Sequence, residues 1–277
     1  MDELKKEVQR CWEAYPMSYN IDCQPGTPEF FKAIDQQFDD LHFFGHNKRP
    51  LLSGLIDYPS LKQSAVLEVG CGLGSLAEEL AKAAGSAYAL DLTPTAVRLT
   101  GRRFSNGKYN ALALQGDAEN LPFPDAKFDY VFSWGVLHHT PRTQQAIDEI
   151  YRVLKPGGRI GIMLYHRNSV NFYYHMVFKW GVIGGKLLSH NIQGILNLRT
   201  DREGGTPLAK AYRISEIEGM FSKYESMKVE IFGQKTEIDT IPIRHFPLMK
   251  WILPVSVRYN LLRKWGWYIW ITGNKAV

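Results

Sequence analysis

Val66-Leu67-Glu68-Val69-Gly70-Cys71-Gly72-Leu73-Gly74-Ser75 sets a short apolar run against three glycines at alternate positions. A strand that turns sharply into a helix, with its backbone lying against a ligand, needs unusual dihedrals and close approach. Glycine supplies both. The spacing departs from the dinucleotide pattern G-x-G-x-x-G, because Ser75 stands where the third glycine or alanine would fall. A Gly-rich turn alone is weak, so its meaning depends on what surrounds it.

Downstream, strand-like and helix-like patterns alternate. The spacing predicts strands over Ala65–Val69, Tyr88–Leu90, Ala111–Leu114, Tyr130–Ser133 and Arg159–Tyr165. Helices are predicted over Ser75–Ala84, Thr93–Phe104 and Gln144–Leu154. Thr93 is placed to cap the second of these, with Pro94 at its first position. Lys155-Pro156-Gly157-Gly158 stops the third. Strict alternation argues for a parallel sheet covered on both faces. Ligands on such sheets bind beyond the carboxyl ends of the strands. The places to look are therefore Gly70–Gly74, Asp91, Asp117, Ser133–His139 and Tyr165-His166.

Four regions follow. Residues 1–50 read as N-terminal cap helices, 51–166 as the ligand-binding core, 167–213 as an aromatic-rich lid insertion and 214–277 as the C-terminal part of the core. In the last, Ser215–Phe221 is predicted as a helix, and Met227–Phe232 and Trp267–Thr272 as strands.

The 277 residues are 45% hydrophobic and 22% charged, ordinary values for a globular chain. The mixed charges of Met1-Asp2-Glu3-Leu4-Lys5-Lys6-Glu7 are unlike a secretory signal, and no apolar run suits a membrane span. Cys11, Cys23 and Cys71 are few and lack metal-ligand spacing, so no metal is expected and a cytoplasmic location is. The net charge of +5 is too modest to imply nucleic acid.

In order, the glycine turn, Asp91 at the second strand end, Asp117-Ala118 after the third, Phe128–Ser133 and Leu154–Arg159 resemble the class I S-adenosylmethionine-dependent methyltransferases, particularly the group acting on small molecules. The resemblance covers roughly residues 60–166. It implies a Rossmann-like, doubly wound seven-stranded sheet, with its last strand antiparallel and supplied by Trp267–Thr272. It further implies S-adenosylmethionine as cofactor. Glu68 and Gly70, Cys71, Gly72 and Gly74 would hold the methionine part. Asp91 would bind the ribose, with Leu92 against the adenine. Asp117 and Ala118 would bind the adenine, while Ser133, Trp134 and Gly135 would line the sulfonium side. Tyr15 and Tyr19 are candidates to close over the cofactor.

Methyl transfer from a sulfonium needs alignment and exclusion of water more than a catalytic triad. A base is required only where the acceptor must lose a proton. His138 and His139, just beyond the fourth strand, are the candidates, with loop packing as their alternative role. Tyr165, His166, Tyr173, Tyr174, Tyr212 and Arg213 are candidate acceptor contacts, and their rings point to an apolar or aromatic small molecule. Cys71 reads as a small residue offering its backbone. After Asp239, Arg244, Lys250, Arg258, Arg263 and Lys264 alternate with Phe246, Trp251, Tyr259 and Trp265, with no acidic residue between. That stretch suits peripheral membrane contact or a solvated basic face. A monomer or homodimer is expected. Competing readings are a methyltransferase acting on nucleic acid or protein, and a non-catalytic adenosylmethionine-binding protein. A nicotinamide-dependent dehydrogenase fits the glycine spacing least.

Overall fold

In the computed structural model, residues 2–14, 21–40, 50–201, 204–234, 237 and 255–277 are described. Seven strands form one sheet: β1 (Ala65–Val69), β2 (Ser86–Asp91), β3 (Ala111–Gln115), β4 (Phe128–Trp134), β5 (Leu154–Tyr165), β6 (Tyr224–Phe232) and β7 (Tyr268–Lys275). Their order is β3-β2-β1-β4-β5-β7-β6. The first five run parallel, and β7 lies antiparallel to both β5 and β6. The chain is thus the Rossmann-like doubly wound fold, and its last strand is the antiparallel one.

Alternate side chains of each central strand feed different cores. Val66, Tyr130 and Phe132 pack with Leu76, Leu80 and Phe104 on one face. Leu67, Val69 and Val131 pack with Ile147, Ile150 and Val153 on the other. The period of two explains why both faces are apolar. Each fully buried Leu or Ile contributes about 1.5–3 kcal/mol.

The helices are α1 (Glu3–Ala14), α2 (Pro28–Asp40), α3 (Ser75–Ala83), α4 (Pro94–Gly107), α5 (Thr143–Val153), α6 (Ile192–Arg199), α7 (Ile214–Met220) and α8 (Val255–Trp265). Between β5 and α6 lies a π-helical segment, Asn171–Ile183. Two local expectations are corrected. β5 begins directly at Leu154, because Leu154 pairs with Phe128 across a register shift, so Lys155–Gly158 lies within the strand instead of before it. Thr93 does not cap α4 with its side chain. Its hydroxyl donates instead to Asp91 Oδ1 at 2.8 Å, since a buried carboxylate is the stronger acceptor. The cap comes from α1: Glu13 accepts the Thr95 amide at 3.1 Å and the Thr95 hydroxyl at 2.6 Å.

Candidate active site

The C-terminal ends of β1 to β4 open into a cavity of about 1090 Å³, part of it open to solvent. Its floor is the turn after β1. Gly70, Gly72 and Gly74 have φ of 80°, 51° and 80°, the left-handed region that favours glycine. A Cβ on Gly70 would lie 2.1 Å from Val136 Cγ2. One on Gly74 would lie 2.8 Å from the Thr100 hydroxyl, so Gly74 serves close packing of α3 on α4. The Gly70 and Cys71 amides donate to Leu90 O at 2.7 and 3.0 Å, tying the turn to β2.

Two carboxylates face this turn. Asp91 accepts the Gly72 amide through Oδ2 (2.9 Å) and the Thr93 amide and hydroxyl through Oδ1. Three of its roughly four acceptor positions are used, which leaves room for a ligand hydroxyl. Burial raises its pKa against the opposing effect of those hydrogen bonds. Glu68 is buried, and its Oε2 has no hydrogen-bond partner. Burial, with the Asp91 charge nearby, holds its carboxyl well above the usual carboxylate range. An orphaned acid beside an open glycine cradle suits a ligand carrying a cationic amine. Cys71 is buried, and its thiol is likewise pushed up by burial, which disfavours the thiolate.

The adenine end required by the resemblance is walled by α1. Lys5 is buried; its Nζ donates to Asp117 Oδ2 at 2.5 Å and also to Glu119 Oε2. Gln9 Nε2 donates to Leu92 O at 2.8 Å. Lys5, Val8 and Trp12 all line the cavity beside Asp91, Leu92, Asp117 and Ala118. Residues 5, 8, 9, 12 and 13 share one helix face, so a single stripe carries every one of these contacts. Sequence reasoning passed over this stripe, although its i, i+3, i+4, i+7, i+8 spacing was there to find.

Beyond the turn, Trp134, Gly135, Val136, His139, Thr140 and Pro141 extend the cavity with an apolar wall, joined by Phe38 of α2. Ser133 does not reach it; its hydroxyl donates to Val69 O at 2.9 Å and locks β4 to β1. His138 is fully buried beneath the cavity, its ring centroid 3.7 Å from that of Tyr165, with neither nitrogen hydrogen-bonded. Burial holds it neutral, well below the usual histidine range. His139 borders the cavity. Its Nδ1 donates to Leu208 O at 2.6 Å, because a carbonyl only accepts. Its Nε2 lies 3.0 Å from Asp201 Oδ2, close enough for an ion pair but off the angle of a hydrogen bond. Asp201 also accepts the Tyr165 hydroxyl. Trp12 packs edge-on against His139 at 5.2 Å.

The remaining candidates do not converge on the cavity. Tyr165 stacks on Trp267 at 4.6 Å, and the His166 ring meets Gly266 O at 3.0 Å. The Tyr212 hydroxyl donates to Thr143 Oγ1, while Arg213 is exposed at the start of α7. Tyr173 faces solvent and Tyr174 is half-buried. Tyr15 and Tyr19 lie outside the described residues, as do Arg244, Phe246, Lys250, Trp251 and the Arg258 side chain. Tyr259, Arg263, Lys264 and Trp265 sit on α8, with Lys264 Nζ 5.5 Å from the Trp265 ring. Among the described residues no three His, Cys, Asp or Glu gather as a metal site.

A family profile described as a methyltransferase domain matches residues 67–162. That match identifies residues 67–162 of the chain as a methyltransferase domain. This stretch contains the glycine turn, Asp91, Asp117 and the His pair. Over 111 residues the chain is 38% identical to the probable tocopherol O-methyltransferase of Oryza sativa subsp. japonica, covering 39% of this chain and 31% of the relative. Over 101 residues it is 40% identical to a sterol 24-C-methyltransferase of Gibberella zeae, covering 35% and 26%. The matched part therefore spans about a third or less of these relatives' length. A SAM-dependent methyltransferase from Aquifex aeolicus superposes with a TM-score of 0.52 at 15% identity, covering 90% of this chain and 98% of its own. At that identity the likeness speaks for the fold of the methyltransferase, and the domain's site rests on its own geometry.

Proposed function

We propose that the protein transfers a methyl group from S-adenosylmethionine to a small apolar or aromatic acceptor. The observation that carries this reading is the continuity of one cavity. Orphaned Glu68, the Gly70–Gly72 cradle and Asp91 line it together with an apolar wall of Trp134, Val136 and Phe38. The names of the tocopherol and sterol relatives agree with such an acceptor.

When bound, the cofactor supplies a methyl group already activated on a sulfonium. The chain's residues then bind and align. Glu68 would pair with the amino group of the methionine part, Gly70 and Gly72 allow close approach, and Asp91 would accept from the ribose. Asp117 and Ala118 would meet the adenine, with Lys5 holding Asp117 in place. Trp134 and Gly135 flank the methyl path, and the walls exclude water. Residues 167–213 are assigned as the lid over the acceptor. His139 is assigned to orienting the acceptor, since Leu208 and Asp201 fix its ring, and His138 to packing.

The test is calorimetric titration with S-adenosylmethionine, S-adenosylhomocysteine and NAD, followed by turnover on a panel of apolar phenols, quinols, sterols and fatty acids. Binding of the first two with methylation of one panel class is the expected result. Binding of NAD alone overturns the reading. Tight binding without turnover on any small molecule, nucleic acid or protein would favour a non-catalytic adenosylmethionine-binding protein.

A further inference from the structure

The insertion between β5 and α7 has an unusual charge pattern. From Ile150 to Thr200 the sequence contains no Asp or Glu, while residues 167–200 carry Arg167, Lys179, Lys186 and Arg199. Its π-helical segment is apolar on two sides. Phe172 and Met176 point inward and join the core. Phe178 is exposed on the other side, with Val182 and Ile183 at 59% and 69% exposure. The turn that follows, Lys186–Leu188, adds Leu187 and Leu188, the latter 94% exposed.

A surface helix in water normally keeps its apolar residues to the core side. Here the solvent side carries large apolar residues as well, closely spaced from Phe178 to Leu188. The Leu187 side chain lies 3.1 Å from where a Cβ on Gly181 would sit, so the turn packs directly on the helix. At the edge of the patch, Trp180 has Arg199 3.5 Å and Lys179 5.6 Å from its ring centroid. An indole flanked by two cations suits a boundary between an apolar layer and water.

We propose that this face is a peripheral membrane-docking surface, seating Phe178, Val182, Ile183 and Leu188 in the headgroup–acyl boundary of an anionic lipid surface. Contiguous exposed apolar area marks an interaction site. The charge pattern selects the occupant: cations set in a run of sequence without Asp or Glu complement anionic headgroups. Among the described residues no helix is long and apolar enough to cross a membrane, so the element lies on the surface. The same insertion ends at the cavity rim. Leu208 and Asp201 hold His139, and Lys210 Nζ donates to the carbonyls of Thr140 and Pro141 at 2.8 and 2.7 Å. Docking would therefore bring a lipid-dissolved acceptor towards the cavity. That last consequence rests on the function proposed above; the docking itself does not.

The experiment is co-sedimentation with vesicles of equimolar phosphatidylcholine and phosphatidylglycerol, against phosphatidylcholine alone, at low and high salt. Wild type is compared with the double variant Ile183→Asp/Leu188→Asp, and circular dichroism melting checks that the variant folds. The expected result is binding to the anionic vesicles that weakens with salt and drops by about tenfold or more in the variant. Absence of binding to anionic vesicles at low salt overturns the proposal. So does a wild-type dimer that the variant converts to monomer while neither binds vesicles, which would assign the patch to a second copy of the chain. None of these readouts depends on methyl transfer.

Discussion

The two ends of the cavity differ in how their polar groups are partnered. At the β1–β3 end, Glu68 Oε2 has no partner and Asp91 keeps an acceptor position open, so hydrogen-bonding capacity is held for a ligand. At the β4–β5 end, the polar groups mostly satisfy one another: Tyr165 donates to Asp201, and His139 is fixed by Leu208 and Asp201. His138, stacked between them, is neutral and unpartnered. On the function proposed above, the first end would receive a polar cofactor. The second is a packed support, and on the function proposed above its specificity would lie in shape and apolar area.

The sharpest way to break this comparison is Asp91→Ala. Calorimetry should show affinity for S-adenosylmethionine falling about 100-fold, near 3 kcal/mol, as charge-assisted hydrogen bonds are lost. A loss below about tenfold would mean that this carboxylate serves the fold alone. Next is Lys5→Met, which removes the cation between Asp117 and Glu119. Arg142 still holds Glu119 at 2.9 Å, so the cost should be about 2 kcal/mol of stability in urea, below that of an unrelieved buried charge. No change would show that α1 docks through Val8 and Trp12 without its ion pair. Asp201→Asn separates the two ends most directly. Turnover should fall about tenfold while cofactor affinity stays within about twofold. Equal losses in both would join what the comparison divides. Smallest is Arg213→Ala. Its side chain is exposed and away from the cavity, so stability and turnover should shift by no more than about 0.5 kcal/mol; a marked rise in KM would extend the acceptor site to α7.

The same contrast explains what could be read before any coordinates. The β1 turn, Asp91 and Asp117 lie at strand ends, where local patterning and one topological rule place them. The sheet and its antiparallel last strand followed from the same patterns and the family likeness. Lys5, Gln9 and Glu13 were missed because their partners lie 82 to 114 positions away, and no local pattern names a partner at that range. Asp201 was hidden for the same reason, inside the stretch that reads only as an aromatic-rich lid insertion. Tyr173 was drawn in as an acceptor contact by its aromatic ring, yet it faces water. Residue type alone does not separate lining from outward-facing patch. The basic, aromatic C-terminal stretch drew attention to a membrane through composition, whereas exposure singles out Phe178–Leu188.

Glu68 has a consequence that can be measured in protons. Burial and the nearby Asp91 charge push its carboxyl well above the usual carboxylate range. A cationic amine placed against it would favour the ionised form, so cofactor binding near neutral pH should release up to one proton for each site filled. The heat of binding would then change with the ionisation enthalpy of the buffer, and Glu68→Gln would abolish that dependence. In this protein the cofactor's positive charge and a solvent proton would exchange places on one buried side chain.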